Sequence, residues 1–199
     1  MKKPYKPIQY FNINYDYYYG SVAMKRGLFV GRFQPPHLGH LEAIEEILNN
    51  VDELVIVVAA AQYSYTMLNP FTAGERVEML RLTLGDLYDK CYIIPVDDIP
   101  SNFLWPQHVL NYIPKVNIVY TLNPLVKLLF EKQGLEVKGH KFVKGISGTL
   151  IRTLIAQNND KWENMVSKKV AEYIREIRGV ERIKFLYEHE IRIPGEKQC

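Results

Sequence analysis

Thiols are nearly missing from this chain: Cys91 and Cys199 are the two cysteines among 199 residues. That excludes a disulfide framework, which needs several paired thiols. Cys91 opens an apolar run, where a buried reduced thiol is expected. No apolar run approaches the length of a membrane-crossing helix, and no signal-peptide core lies near the start, so a cytoplasmic location and no membrane partner are expected. Internal repeats and low-complexity tracts are also missing. The charges nearly balance, 25 Lys and Arg against 22 Asp and Glu for a net +3. This is too little for the basic stripe that nucleic acid demands, although it does not oppose small anionic substrates. With 47% hydrophobic and 24% charged residues in 199, the chain suits one globular domain with a sizeable core.

What is present is an alternation of short apolar runs with amphipathic segments. Residues 28–30, 53–59, 92–96 and 116–120 are expected as buried strands, with helices after the first, second and fourth. Such alternation implies an α/β fold with a central parallel sheet flanked by helices, whose ligands bind outside the carboxyl ends of the strands. Thr72 and Glu75 form a T-x-x-E capping box that starts the second helix. That box explains most of the FTAGER segment, leaving Arg76 able to point toward a site. Residues 101–113, between the breakers Pro100 and Pro106 and beyond, read as a loop and then a short helix. Residues 168–177 and 180–187 read as two helices split by Gly179, with apolar stripes suited to cover the sheet or a neighbouring subunit.

The run GRFQPPHLGH at 31–40 carries the most chemistry. His37 and His40 stand at the start of a helix directly behind the first strand, where unpaired N–H groups and the helix dipole favour an anion. At spacing i, i+3 both imidazoles project from one face, and Gly39 leaves room for close approach to the backbone. An isolated HxxH would read as surface histidines, or weakly as part of a zinc site, which needs at least one further ligand. The strand and glycine context favours a polyphosphate. Near the other end, ISGTLIR at 146–152 has the composition of a capped helix start, with Ser147 and Thr149 at the cap and Arg152 in its first turns.

These two motifs together resemble the HxGH nucleotidyltransferase superfamily. AAQYSYTMLNPFTAGERVEML, VDDIPSNFLW, NPLVKLLFEKQGLEV and GVERIKFL, in that order, are similar to the archaeal-type nicotinamide mononucleotide adenylyltransferases. The resemblance implies a Rossmann-like nucleotidyltransferase fold and transfer of AMP from ATP to nicotinamide mononucleotide, giving NAD⁺ and pyrophosphate. Sibling transferases acting on FMN or phosphopantetheine, and a nucleotide-binding sensor without turnover, are the alternatives. The resemblance also implies roles. His37, His40, Arg32 and Arg152 would be the catalytic phosphate donors, with Gly31, Phe33, Gly39, Asn123, Ser147, Gly148 and Thr149 completing the ATP site. Gln62, Asp98, Asn102 and Trp105 would bind the nicotinamide mononucleotide. A divalent cation, Mg²⁺, would be held mainly by the phosphates rather than by protein side chains, and a homo-oligomer is expected.

The chain departs from the resembled pattern at Pro36, Tyr65, Leu122 and Thr153, where the family usually has Phe, His, a small residue and Arg. These changes bear on efficiency and substrate preference more than on fold, through triphosphate binding and the width of the nucleotide pocket. Residues 1–23, which hold six of the 14 tyrosines, precede Met24, the point at which the resembled family begins. They are expected to be an N-terminal extension dispensable for transfer. Residues 24–187 are expected to form the nucleotidyltransferase domain and 188–199 a tail.

Overall fold

The computed structural model describes residues 24–141 and 143–191. The tyrosine-rich segment, Cys199 and most of the expected tail lie outside the described residues. Five parallel strands form one sheet in the order β3-β2-β1-β4-β5. They are β1 (Arg26–Gly31), β2 (Glu53–Val58), β3 (Cys91–Pro95), β4 (Ile118–Tyr120) and β5 (Glu136–Lys138). β1 pairs with β2 from Arg26↔Glu53 to Gly31↔Val58 and with β4 from Gly27↔Ile118 to Phe29↔Tyr120. The strand order therefore changes direction between β1 and β4, and the crevice beyond that point is where sheets of this kind bind ligands.

Alternation along the strands divides the core by faces. Phe29, Leu54, Ile56, Val58, Ile118 and Tyr120 pack under α1 (Leu38–Leu48) and α2 (Ala73–Leu84), meeting Ala43, Ile44, Ile47, Leu80 and Leu84. Leu28, Val55, Val57 and Val119 face the other way, against Val109 of α3 (Trp105–Tyr112) and Phe130 of α4 (Pro124–Glu131). Each such buried aliphatic side chain contributes about 1.5–3 kcal/mol, which is what secures short strands of so few residues.

Three features differ from the sequence expectations. β5 was not anticipated: its three residues EVK are exposed, half-buried and exposed in turn. Their charges, paired between Lys138 and Glu136 at 2.9 Å, protect a sheet edge rather than fill a core. The C-terminal helices do not cover the sheet. α5 (Gly148–Ala156), α6 (Lys168–Glu176) and α7 (Gly179–Glu188) form a second apolar cluster around Trp162, joined by Phe71 and by Met79 of α2. Finally, the left-handed break between α6 and α7 falls on Arg178, at φ 54°, and not on Gly179. Gly179 is the first residue of α7 and is required for contact, since a Cβ there would sit 2.8 Å from Phe71.

Candidate active site

Two helices begin at the carboxyl end of β1. α1 follows it directly, and α5 arrives from the far end of the chain, because its N-terminal turn is docked on the β1–α1 loop. That docking is specific. The Gln34 side chain, 4% exposed, donates from Nε2 to the Phe71 carbonyl at 2.8 Å and accepts from the Phe71 N–H at 3.0 Å. The Gln34 carbonyl accepts from Arg152 Nη1 at 2.7 Å. A Cβ on Gly148 would stand 3.0 Å from the same carbonyl, so glycine favours this close approach of α5. The result is a cleft of about 340 Å³ whose walls hold Arg32, Phe33, His37 and His40 on one side, Ser147, Gly148, Thr149 and Arg152 on the other, and Leu68 at the rim. Thus the sequence-predicted phosphate residues from two distant motifs meet in one place.

His37 is the N-cap of α1 and His40 its third residue. The rings stack at 3.6 Å between centroids and 23° between planes. The His37 N–H donates to His40 Nδ1 at 3.2 Å, so a neutral His40 must carry its proton on Nε2, free of that bond to meet an acceptor. Burial pulls the His37 pKa down to about 4. Burial, then the proximity of His37 and His140, holds His40 well below the usual imidazole range. Both rings are therefore neutral near pH 7 and are available as hydrogen-bond donors rather than cations. Phe33, at φ 51° and 1% exposed, supports His40 from below with ring centroids 4.7 Å apart. Gly31 makes room for the Phe33 ring, because a Cβ would lie 2.7 Å from its tip. Gly39 plays a comparable part: the space a Cβ would occupy is bounded by the His37 ring at 3.2 Å, so it accommodates the histidine and not only a ligand.

A pH prediction follows from His37. Its folded pKa, about 4, lies below the ordinary 6.5. The unfolded chain therefore takes up the proton first, and the stabilisation is complete above about pH 6.5 and is lost as pH falls toward 4. Melting curves of the wild type and His37→Asn should converge over that interval, the wild type falling more steeply; parallel curves would contradict the assignment.

Arg152 lies at the cleft with 5% exposure. Besides Gln34 it donates from Nε to the Met67 carbonyl at 3.0 Å and from Nη2 to Thr149 Oγ1 at 3.3 Å. It was expected simply to face the anion; it also ties α5 to the 66–69 turn. Ser147 caps α5 by accepting from the Leu150 N–H at 3.1 Å. The first N–H groups of the helix, those of Gly148 and Thr149, have no partner within the helix and suit an anion. Asn123, expected in the nucleotide pocket, is the N-cap of α4, its Oδ1 accepting from the Leu125 N–H at 2.9 Å and the Val126 N–H at 3.3 Å. Arg76, allowed above to point into the site, is instead fully buried and directed at backbone carbonyls.

The four residues expected for the acceptor are gathered less completely. Gln62 pairs with the backbone of Asp98, donating from Nε2 to its carbonyl at 2.8 Å and accepting from its N–H at 2.9 Å. The Trp105 indole donates to Asp98 Oδ1 at 3.1 Å and meets the Phe130 ring edge-on at 5.9 Å. Asn102 is exposed on the turn before α3. Of the departures, Tyr65 is 53% exposed and lies under the Arg182 guanidinium at 4.4 Å, outside the cleft walls, while Leu122 is 48% exposed and packs near Gly139.

Gln34 lines the cleft and His140 stands behind His40; neither was singled out from sequence. His140 meets Phe29 edge-on at 5.1 Å and lowers the His40 pKa. Among the described residues no cluster of His, Cys, Asp and Glu can hold a metal ion, and no helix is long and apolar enough to cross a membrane.

Residues 28–154 match the family model described as cytidylyltransferase-like. A protein of Pyrobaculum arsenaticum is 45% identical over 166 residues, covering 81% of this chain and 93% of the relative. One of Pyrococcus furiosus is 46% identical over 169 residues, covering 82% and 89%. One of Saccharolobus solfataricus is 46% identical over 166 residues, covering 81% and 96%. Each is named nicotinamide-nucleotide adenylyltransferase. Among solved structures, a bifunctional NMN adenylyltransferase/ADP ribose pyrophosphatase of Francisella tularensis aligns with a TM-score of 0.68 at 17% identity, covering 84% of this chain and 54% of that one. A second structure of that protein, complexed with AMP and Mn ion, aligns at 0.65 with 18% identity. The chain spans about half the length of those solved chains, and the likeness at this identity shows the fold alone.

Proposed function

This chain belongs to the cytidylyltransferase-like family, as a relative of the archaeal nicotinamide-nucleotide adenylyltransferases, and from that premise we propose that it transfers AMP from ATP to nicotinamide mononucleotide. The observation that supports this most is the convergence of two helix N-termini, the neutral His37–His40 pair, Arg32 and Arg152 on one cleft at the switch point of the sheet. A phosphate oxygen of the mononucleotide attacks the α-phosphorus of ATP. The bond to the β-bridging oxygen breaks, and pyrophosphate leaves with the electron pair. The nucleophile is already anionic, so no general base is required, only alignment and donors for the accumulating charge. His40 Nε2–H would donate to the α-phosphate, with His37 beside it and Arg32 clamping two oxygens. The start of α5 and Arg152 would hold the β- and γ-phosphates.

A divalent cation, proposed to be Mg²⁺, neutralises phosphate charge when bound. The donor set fits such an ion only as one carried by the phosphates. Gln62, Asp98, Asn102 and Trp105 are proposed to receive the nicotinamide end, with the indole face available to a pyridinium ring. Residues 24–187 are proposed as the transferase unit, working in the cytoplasm. Exposed Leu125 and Leu128 on α4 and Phe185 on α7 favour assembly into a homo-oligomer.

The test is an assay with α-labelled ATP, Mg²⁺ and a panel of phosphorylated acceptors. Label should appear in NAD⁺ with nicotinamide mononucleotide. Label in the FMN or phosphopantetheine product instead would move the chain to a sibling activity, and no label with any acceptor would make it a sensor. On the acceptor side, Trp105→Ala should weaken mononucleotide binding by about 1–2 kcal/mol, the scale of a lost cation–π partner, with ATP binding nearly intact. Equal losses for both substrates, measured by titration calorimetry, would mean that the loop had collapsed.

A further inference from the structure

Arg76 is fully buried, an uncommon place for a guanidinium, and its hydrogen bonds go to backbone oxygens, with the Asp98 and Glu75 carboxylates near enough to act on its charge. Nη1 donates to the Arg32 carbonyl at 3.0 Å and to the Ala59 carbonyl at 2.8 Å. Nη2 donates to the Ala60 carbonyl at 3.1 Å and Nε to the Thr72 carbonyl at 3.2 Å. These oxygens belong to the carboxyl ends of β1 and β2 and to the cap of α2. Two of the segments it grips contain residues in the left-handed region, Phe33 at φ 51° next to Arg32 and Ala60 at φ 53°. Such conformations cost free energy and persist only where surrounding bonds over-determine them. Phe33 carries His40, and Ala60 begins the segment that leads to Gln62. Burial pushes the guanidinium down to about 10, so it stays charged at neutral pH, adjacent to the end of the sheet where polyphosphate is proposed to bind.

We propose that Arg76 is a positioning residue that holds the two substrate half-sites in register, fixing the Arg32 carbonyl on the phosphate side and the Ala59 and Ala60 carbonyls on the side leading to Gln62. The proposal rests on the assignment of Arg32 to the phosphates and Gln62 to the nicotinamide end. It differs from a packing role because it couples the halves. AMP occupies one half, nicotinamide mononucleotide the other, and NAD⁺ must reach both at a fixed separation. A linked ligand gains from two sites only when their geometry permits simultaneous engagement.

R76K keeps a cation but cannot make the four bonds of the fork. Binding of AMP, nicotinamide mononucleotide and NAD⁺ is measured by calorimetry on R76K and the unaltered protein, together with kcat and the melting temperature. A folded R76K is expected to lose less than about threefold in affinity for AMP and for the mononucleotide, but about tenfold or more in NAD⁺ affinity and in kcat. Unchanged NAD⁺ affinity and kcat in a folded variant would reduce Arg76 to core stabilisation. Equal losses for all three ligands would mean local collapse and would also overturn the proposal. If R76K does not fold, hydrogen exchange on the unaltered protein reads the same coupling: AMP alone should slow exchange across residues 59–62, and no slowing counts against it. Failure of the unaltered protein to bind NAD⁺ overturns the assigned activity and the proposal with it, whereas normal binding with an indifferent R76K overturns the proposal alone.

Discussion

Replacing His40 with alanine is expected to lower kcat by about a hundredfold or more, the scale for losing one donor aimed at charge that develops in the transition state. The mononucleotide KM should barely move, because Gln62, Asp98 and Trp105 form their own hydrogen-bonded group beyond the ends of β2 and β3 and at the start of α3. The physical reason lies in the tautomer. His37 N–H occupies His40 Nδ1, which leaves the proton on Nε2, and burial keeps the ring neutral over the working pH range. His40→Gln, whose amide extends about as far as Nε2, should recover part of the rate. Steady-state kinetics at saturating substrates checks both variants; an unchanged kcat in His40→Ala would remove the residue from the chemistry.

Arg152→Ala should be the most damaging single change, because this side chain acts in two capacities. At 5% exposure it donates to the Gln34 and Met67 carbonyls, and leaving a buried acceptor unpaired costs about 1–3 kcal/mol. Stability should therefore fall by roughly that amount or more. The charge-assisted donor to the leaving phosphates is lost as well, so kcat/KM for ATP should fall by about a hundredfold to a thousandfold. Arg152→Lys separates the two. It restores a positive charge without the fork, so it should leave both the tie between α5 and the 66–69 turn and the rate largely unrepaired. Chemical denaturation and ATP-dependent kinetics on the two variants are the measurements. Full recovery in Arg152→Lys would mean that charge alone matters.

The placement of His37 and His40 at the start of α1 was legible in the sequence because its signals are local. A strand, a glycine and two histidines at helical spacing mark a candidate anion site without knowledge of the rest of the fold, and Ser147 announces the cap of α5 in the same way. Gln34 and His140 were not legible as neighbours of the cleft, and Arg76, legible only as able to point toward a site, grips backbone carbonyls instead. Each acts through partners far along the chain, Gln34 through Phe71 and Arg76 through Ala59 and Ala60, and no spacing rule reports which carbonyl a side chain will find. Asn123 shows the converse. Its family context suggested a ligand contact, while its cap bonds to α4 are a local necessity that NPLV, an N-cap followed by proline, already spelled out. β5 was missed because three residues at a charged edge carry no hydrophobic period, and the C-terminal helices were misplaced because an amphipathic stripe does not name the surface it covers.

The triphosphate is proposed to lie between the N-termini of α1 and α5. A crystal structure of the protein with α,β-methylene ATP tests it most directly. The α-phosphate is expected within hydrogen-bond reach of His40 Nε2 and the β- and γ-phosphates against the Gly148 and Thr149 N–H groups and Arg152. A triphosphate bound elsewhere, with the base or ribose occupying this cleft, would contradict it.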